Sequence, residues 1–198
     1  MNENIIEKAI MYATIAHSGQ VRKGQNNIPY IMHPIAVAQI LVDYGADDNV
    51  IAAGALHDVV EDTPYTLNDI KEKFGEDIAH LVECATEMDK SKSWEERKQE
   101  KIEAIKHETF REKLVQIADK IHNIESLEIV FKQKGYRDFS AFKRGEEKQE
   151  WYYRNIYESL TTGEDKENPL FKRLENSINN VFNRTMEDYK KEQEELEH

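Results

Sequence analysis

Apolar residues recur at helical spacing along nearly the whole chain. Ile5, Ile6, Ala9, Ile10, Ala13 and Ala16 make a first stripe. The stretch Ser18 to Pro29, rich in glycine and asparagine, interrupts the pattern and reads as a loop. His33-Pro34 opens a second helix, with the proline in the first turn, where a missing N–H does no harm. Asp47 or Asp48 can cap a third helix running through Ile51, Ala52, Ala55, Leu56 and Val59, which Thr63-Pro64 ends. A short helix from Thr66 to Phe74 stops at Gly75, and Ile78, Leu81, Val82 and Ala85 mark the next. Ser93 with Glu96 predicts a capping box for a charged helix from Trp94 towards His107.

The segment from about Arg111 to Val130 carries an apolar side at Leu114, Ile117, Ile121 and Ile124. Beyond Gly135 aromatic residues are dense. Thr161 to Asn168 reads as a polar connector. Asn168-Pro169 then starts a last amphipathic helix with Phe171, Leu174, Ile178, Val181, Phe182 and Tyr189 on one side. No run alternates convincingly enough for a strand, so an all-α fold is expected. We expect a main domain over residues 1–160 and a connector with a C-terminal helix packing on it over 161–195. Residues 196–198 read as a purification-tag remnant.

Composition narrows the setting. The 198 residues fit one domain with an appendage. With Cys84 as the only cysteine, no intramolecular disulfide can form, and a reducing, cytoplasmic setting is expected. Glu3, Glu7 and Lys8 interrupt any N-terminal apolar run. The longest uncharged stretch, Ile28 to Val42, is too short to span a bilayer. A net charge of −12 disfavours nucleic acid and anionic membranes as partners. A small anionic substrate stays compatible, because a metal ion and local Arg and Lys can reverse the field inside a pocket.

Two polar stripes carry the chemistry. His57 and Asp58 are followed four residues later by Glu61 and Asp62, which a helix places on the same side. On a core helix such groups are costly unless something satisfies them, and a divalent cation does so. Asp119, His122, Asn123 and Ser126 repeat the pattern at i, i+3, i+4 and i+7. His33, at the mouth of another helix, completes a possible set of two His and two Asp with His57, Asp58 and Asp119. Such a set suits manganese, iron or zinc. A single His-Asp pair is more often a capped or solvated surface feature, and Asp119 alone could be an ordinary salt-bridge partner. Two matching stripes weigh against that. Simpler roles are expected for His17 (its helix's C-terminal end), His80 and His107 (surface), His122 (structural) and Cys84 (a buried apolar filler).

Five stretches, in order, resemble the hydrolase domain of the RelA/SpoT family. They are Ala16 to Lys23, Pro29 to Ala38, Leu56 to Thr63, Glu96-Arg97-Lys98, and Ala118 to Asn123. The length resembles that of the stand-alone small alarmone hydrolases. The resemblance implies a multi-helix HD-domain phosphohydrolase fold and metal-dependent removal of pyrophosphate from the 3′ position of (p)ppGpp. It implies a divalent ion, usually manganese, on His33, His57, Asp58 and Asp119, with Glu61 and Asp62 as the catalytic acidic pair. Arg22, Lys23, Asn123 and Ser126 match substrate-contacting positions. Two departures stand out. Trp94 replaces a lysine, with Lys90 or Lys92 nearby, and Trp151 to Arg154 lies where a substrate-facing tyrosine is placed. No synthetase activity is expected. The alternatives are a different nucleotide substrate (an adenine alarmone or a phosphorylated dinucleotide cofactor), a catalytically silent alarmone-binding module, or a purely structural helical protein. Oligomeric state stays open.

Overall fold

The computed structural model describes residues 4–24, 27–87, 89–185 and 187–191; the expected tag remnant lies outside them. The described residues are helical with no strand; Val21 and Pro29 form one isolated antiparallel bridge that pins the loop between the first two helices. The elements are α1 (Ile5–Ala16), α2 (Met32–Tyr44), α3 (Asp48–Leu56), α4 (Val59–Asp62) and α5 (Leu67–Phe74). They continue with α6 (Glu76–Ala85), α7 (Trp94–Ile105), α8 (Phe110–Lys134), α9 (Gly145–Leu160) and α10 (Pro169–Phe182).

Side chains close most of the helix starts. Asn4, Asp47, Thr66, Ser93, Thr109 and Asn168 each accept from first-turn amides, and Thr66, Ser93 and Thr109 do so in full capping boxes. Helix α3 is buried from Val50 to Leu56 and lies among α1, α2, α6 and α8. Gly54 permits this: a Cβ there would fall 2.5 Å from the Leu41 Cδ1 of α2. The long α8 contributes Leu114, Ile117, Ile121 and Ile124 to the core, together with Val115 and Ala118.

Two helices differ from expectation. The third helix does not run through Val59 but breaks at His57 and Asp58 into α3 and α4. The His57 Nδ1 binds the Gly54 carbonyl at 2.8 Å, competing with the regular ladder at that point. The last helix ends at Phe182, and a separate helical stretch follows at 187–191, capped by Thr185 with Asp188. Tyr189 is nevertheless buried, its ring 5.9 Å from Phe131 and its hydroxyl donating to the Asn180 carbonyl at 2.9 Å.

The C-terminal part packs on α8. Phe171, Leu174, Ile178 and Val181 are all buried, and the Phe171 and Phe110 rings meet edge-on at 6.0 Å. Arg173 forks onto Glu125 with two 2.7 Å contacts. The connector is held by Lys113, a buried α8 side chain that donates to the Thr162 carbonyl at 3.0 Å and to Glu164 at 3.1 Å. No helix of the described residues is long and apolar enough to cross a membrane.

Candidate metal centre and its cleft

Three elements deliver the donor set. The start of α2 supplies His33, the break between α3 and α4 supplies His57 and Asp58, and the middle of α8 supplies Asp119. One donor atom each from His33, His57 and Asp58 lie within 4.8 Å of one another. The His33 Nε2 is 3.4 Å from Asp58 Oδ2 and 3.1 Å from Asp119 Oδ1; the His57 Nε2 is 3.0 Å and 3.6 Å from the same two oxygens. Asp58 Oδ2 and Asp119 Oδ1 thus each lie within 3.6 Å of both imidazole Nε2 atoms.

The residues fit a divalent cation. His57 is 3 % exposed, and its buried Nε2 has no hydrogen-bond partner among the described residues. Its other nitrogen is occupied by the Gly54 carbonyl, which fixes the proton at Nδ1 and leaves a lone pair aimed at the cluster. Without a cation, two imidazole lone pairs and two carboxylates would face one another, so protons must take its place. Burial opposes charge on His57, but Asp58 and Asp119 hold its proton well above the ordinary imidazole value. Burial likewise opposes ionisation of both carboxylates, yet the imidazoles pull Asp58 well below its usual range, and Lys120 with the imidazoles does the same for Asp119.

Partners orient these groups. His33 Nδ1 lies 2.6 Å from His122 Nδ1, and His122 Nε2 lies 3.3 Å from Ser126 Oγ. Burial and the positive surroundings push His122 down to about 4, so it is neutral near pH 7. The consistent assignment has His33 Nδ1–H donating to His122 Nδ1 and His122 Nε2–H donating to Ser126. Tyr30, which the sequence reading did not single out, donates its hydroxyl to Asp58 Oδ2 at 2.6 Å. Lys120 folds back onto Asp119 Oδ2 at 2.6 Å.

The acidic pair points two ways from α4. Asp62 lines the adjoining cleft, with its Oδ2 3.5 Å from the Tyr30 hydroxyl and its Oδ1 3.4 Å from Lys90. Glu61 instead accepts from the Glu87 amide at 3.1 Å; burial, with Glu87, Asp58 and Asp62 nearby, raises its carboxyl. Lys90 also reaches the Glu61 carbonyl, whereas Lys92 pairs with Glu100.

The cleft beside the donor set has a volume of about 780 Å³. Its walls carry Arg22, Lys23, Lys98, Lys120 and Lys134 against Asp62 and Asp138, a local excess of cations in an acidic chain. Trp94, Phe142, Tyr152 and Tyr153 supply aromatic wall, while Arg154 pairs with Glu150 outside it. Arg22 donates to Asn123 Oδ1 at 2.8 Å, and Asn123 donates onward to Asp119, so the loop and the donor set are linked. Ser126 is not in the cleft wall; it sits on His122. The other simple readings change in part. His17 is buried against the Tyr30 ring at 4.8 Å, His80 is ion-paired to Glu112, and Cys84 is only partly buried.

A profile of the HD domain family matches residues 9–140, two thirds of the sequence. The chain belongs to the HD domain family. It is 37% identical over 142 residues to a GTP pyrophosphokinase of Myxococcus xanthus, covering 68% of this chain and 18% of that one. It is 37% identical over 128 residues to the bifunctional (p)ppGpp synthase/hydrolase SpoT of Escherichia coli, covering 62% and 18%. The chain thus spans less than a fifth of these relatives. Two solved structures share the HD domain fold over most of their length. A metazoan SpoT orthologue described as hydrolysing ppGpp superposes with a TM-score of 0.77 at 28% identity, covering 90% of this chain and 96% of that one. A Listeria monocytogenes protein gives 0.72 at 37% identity, covering 77% and 99%.

Proposed function

We propose that this HD domain protein is a metal-dependent hydrolase that removes pyrophosphate from the 3′ position of (p)ppGpp or a closely related alarmone, in the cytoplasm. The observation that carries the reading is the junction of a His33–His57–Asp58–Asp119 donor set with a cationic, aromatic cleft. A purine nucleotide with phosphates at two positions needs a planar wall and positive charge at more than one place, and the cleft offers both. The structural similarity to the metazoan ppGpp hydrolase over nearly its whole length supports the same reading.

His33, His57, Asp58 and Asp119 would hold one divalent ion, which we propose to be manganese; mixed imidazole and carboxylate donors suit it. When bound, the ion polarises the attacked phosphoryl group and acidifies water. Asp62 then orients a water and accepts its proton as the oxygen attacks the phosphorus joined to the ribose 3′ oxygen. The phosphorus–oxygen bond to the ribose breaks, the 3′ oxygen takes up a proton, and pyrophosphate departs. Glu61 completes the pair, holding Glu87 through its amide and keeping a raised carboxyl near the reacting groups. Arg22 and Lys23 bind the phosphates or base from the loop, and Asn123 couples Arg22 to Asp119. Ser126 acts through His122 rather than on substrate.

The deciding assay measures pyrophosphate release from ppGpp, pppGpp, the adenine analogue and a phosphorylated dinucleotide, with manganese and with chelator. Manganese-dependent release of pyrophosphate and GDP from ppGpp is expected. Turnover of another nucleotide with ppGpp untouched overturns the assignment of substrate, and no turnover of any leaves a binding module.

A further inference from the structure

On α6, His80 and Cys84 stand one turn apart, and Glu112 of α8 reaches them from the first turn of its helix. The His80 Nε2 is 2.7 Å from Glu112 Oε1 and 3.7 Å from Cys84 Sγ, and one donor atom from each of the three lies within 4.8 Å of the others. We propose that His80, Cys84 and Glu112 form a second, thiolate-containing metal site that takes a borderline-soft divalent ion, zinc being the best match.

The ligand types select the ion. Thiolate and imidazole favour zinc or cobalt over magnesium or calcium. Tetrahedral zinc with bonds of about 2.0–2.3 Å separates its donors by roughly 3.3–3.6 Å. The sulfur–nitrogen separation of 3.7 Å has to close by about 0.1 Å, and the 2.7 Å imidazole–carboxylate contact has to open by about half an ångström. Three protein ligands leave one position for water. The groove beside the cluster has a volume of about 340 Å³; of its carboxylates, Glu87, Asp89 and Glu100 are paired with lysines, and Glu83 and Glu108 add negative charge beside Cys84. His80 is 53 % exposed, which gives an ion access. Glu112 can ligate without releasing its helix: its Oε2 caps Thr109 while Oε1 faces His80. The site is distinct from the first. Glu112 precedes Asp119 by seven residues of α8, roughly 10 Å along the helix axis.

Cobalt(II) tests this directly, because a thiolate bound to cobalt gives a near-ultraviolet charge-transfer band and Cys84 is the only cysteine in the chain. Titrating the 198-residue chain under reducing conditions should give a saturable band with one equivalent at this site, displaced by zinc. Cys84→Ser should abolish it. His80→Ala and Glu112→Gln should each weaken cobalt binding read from the band by at least about tenfold; the glutamine keeps the helix cap, and far-ultraviolet dichroism checks the fold of each variant. Absence of the band at saturating cobalt, or a band of equal affinity in the His80→Ala/Glu112→Gln double variant, overturns the proposal.

Discussion

Replacing His122 with phenylalanine isolates what orients the metal centre. His33 is 1 % exposed, and its Nδ1 proton has His122 Nδ1 as acceptor at 2.6 Å. Phenylalanine fills the same space and accepts nothing. The metal-free protein can escape the loss: the His33 proton moves to Nε2, where Asp119 Oδ1 waits at 3.1 Å. With a metal bound, Nε2 must keep its lone pair, so the buried Nδ1–H stays unsatisfied. That penalty, about 1–3 kcal/mol, therefore falls selectively on the metal-bound state. It corresponds to a loss of manganese affinity of roughly five- to a hundred-and-fifty-fold, in line with the effect of removing an outer partner of a ligating histidine. Titration of free manganese by electron paramagnetic resonance reads the affinity, and thermal unfolding of the metal-free protein checks that stability changes far less. His122→Gln, which can still accept from His33, should recover part of the loss. Wild-type affinity in His122→Phe would show that His33 needs no orienting acceptor, and an equal loss in His122→Gln would show that the space, not the acceptor, matters.

Three other outcomes are expected. Asp62→Asn should lower kcat by about a hundred- to ten-thousand-fold with manganese affinity retained; Glu61→Gln should lower it less, because glutamine still accepts from the Glu87 amide. Arg111, which binds Asp47 and Asp77 at 2.7 to 3.1 Å, holds Asp77 down to about 2. Such a depressed carboxylate stabilises the fold above its unfolded value near 4 and loses that contribution as pH falls towards 2, so Arg111→Met should cost about 1 kcal/mol at pH 7 in urea unfolding and progressively less in acid. Phe171→Ala, at a fully buried position, should cost about 3–5 kcal/mol of stability while leaving manganese affinity unchanged under native conditions.

The helices were legible because their period and caps are local. Ser93 with Glu96 and Asn168-Pro169 mark their helix starts without tertiary context. The Asp119–His122–Asn123 stripe was legible for the same reason, since α8 is regular through it. The acidic pair was not. Glu61 and Asp62 are neighbours on α4, about 100° apart around its axis, so Glu61 meets the Glu87 amide while Asp62 lines the cleft. Which neighbour each carboxylate meets is set by tertiary packing, which residue spacing does not encode. Lys120 was hidden differently. Adjacent helical residues do not face each other, so nothing in the spacing pairs it with Asp119; burial beneath Tyr152 folds it back. Tyr30 sits in a loop, where no period exists to say which way it points.

The charge of the chain and the charge of the cleft have opposite signs, and the pairing explains how both hold. Outside the cleft most basic side chains are spent on carboxylates: Arg111 on Asp47 and Asp77, Arg173 on Glu125, Lys92 on Glu100. Inside it Lys98 and Lys120 are also paired, with Glu87 and Asp119, so their charge is largely neutralised before any ligand arrives. Arg22 is different. Its guanidinium is held by the neutral Asn123 amide oxygen and lies 5.6 Å from the Tyr30 ring centroid, so its position is fixed while its charge is not cancelled. A guanidinium fixed this way binds an anion without first losing a carboxylate partner. Because the same Asn123 also donates to Asp119, drawing Arg22 towards a phosphate changes the hydrogen bonding of a proposed metal ligand. Substrate and metal should therefore each change the affinity of the other by the same factor, and Asn123→Ala should remove that mutual effect while leaving the donor set in place.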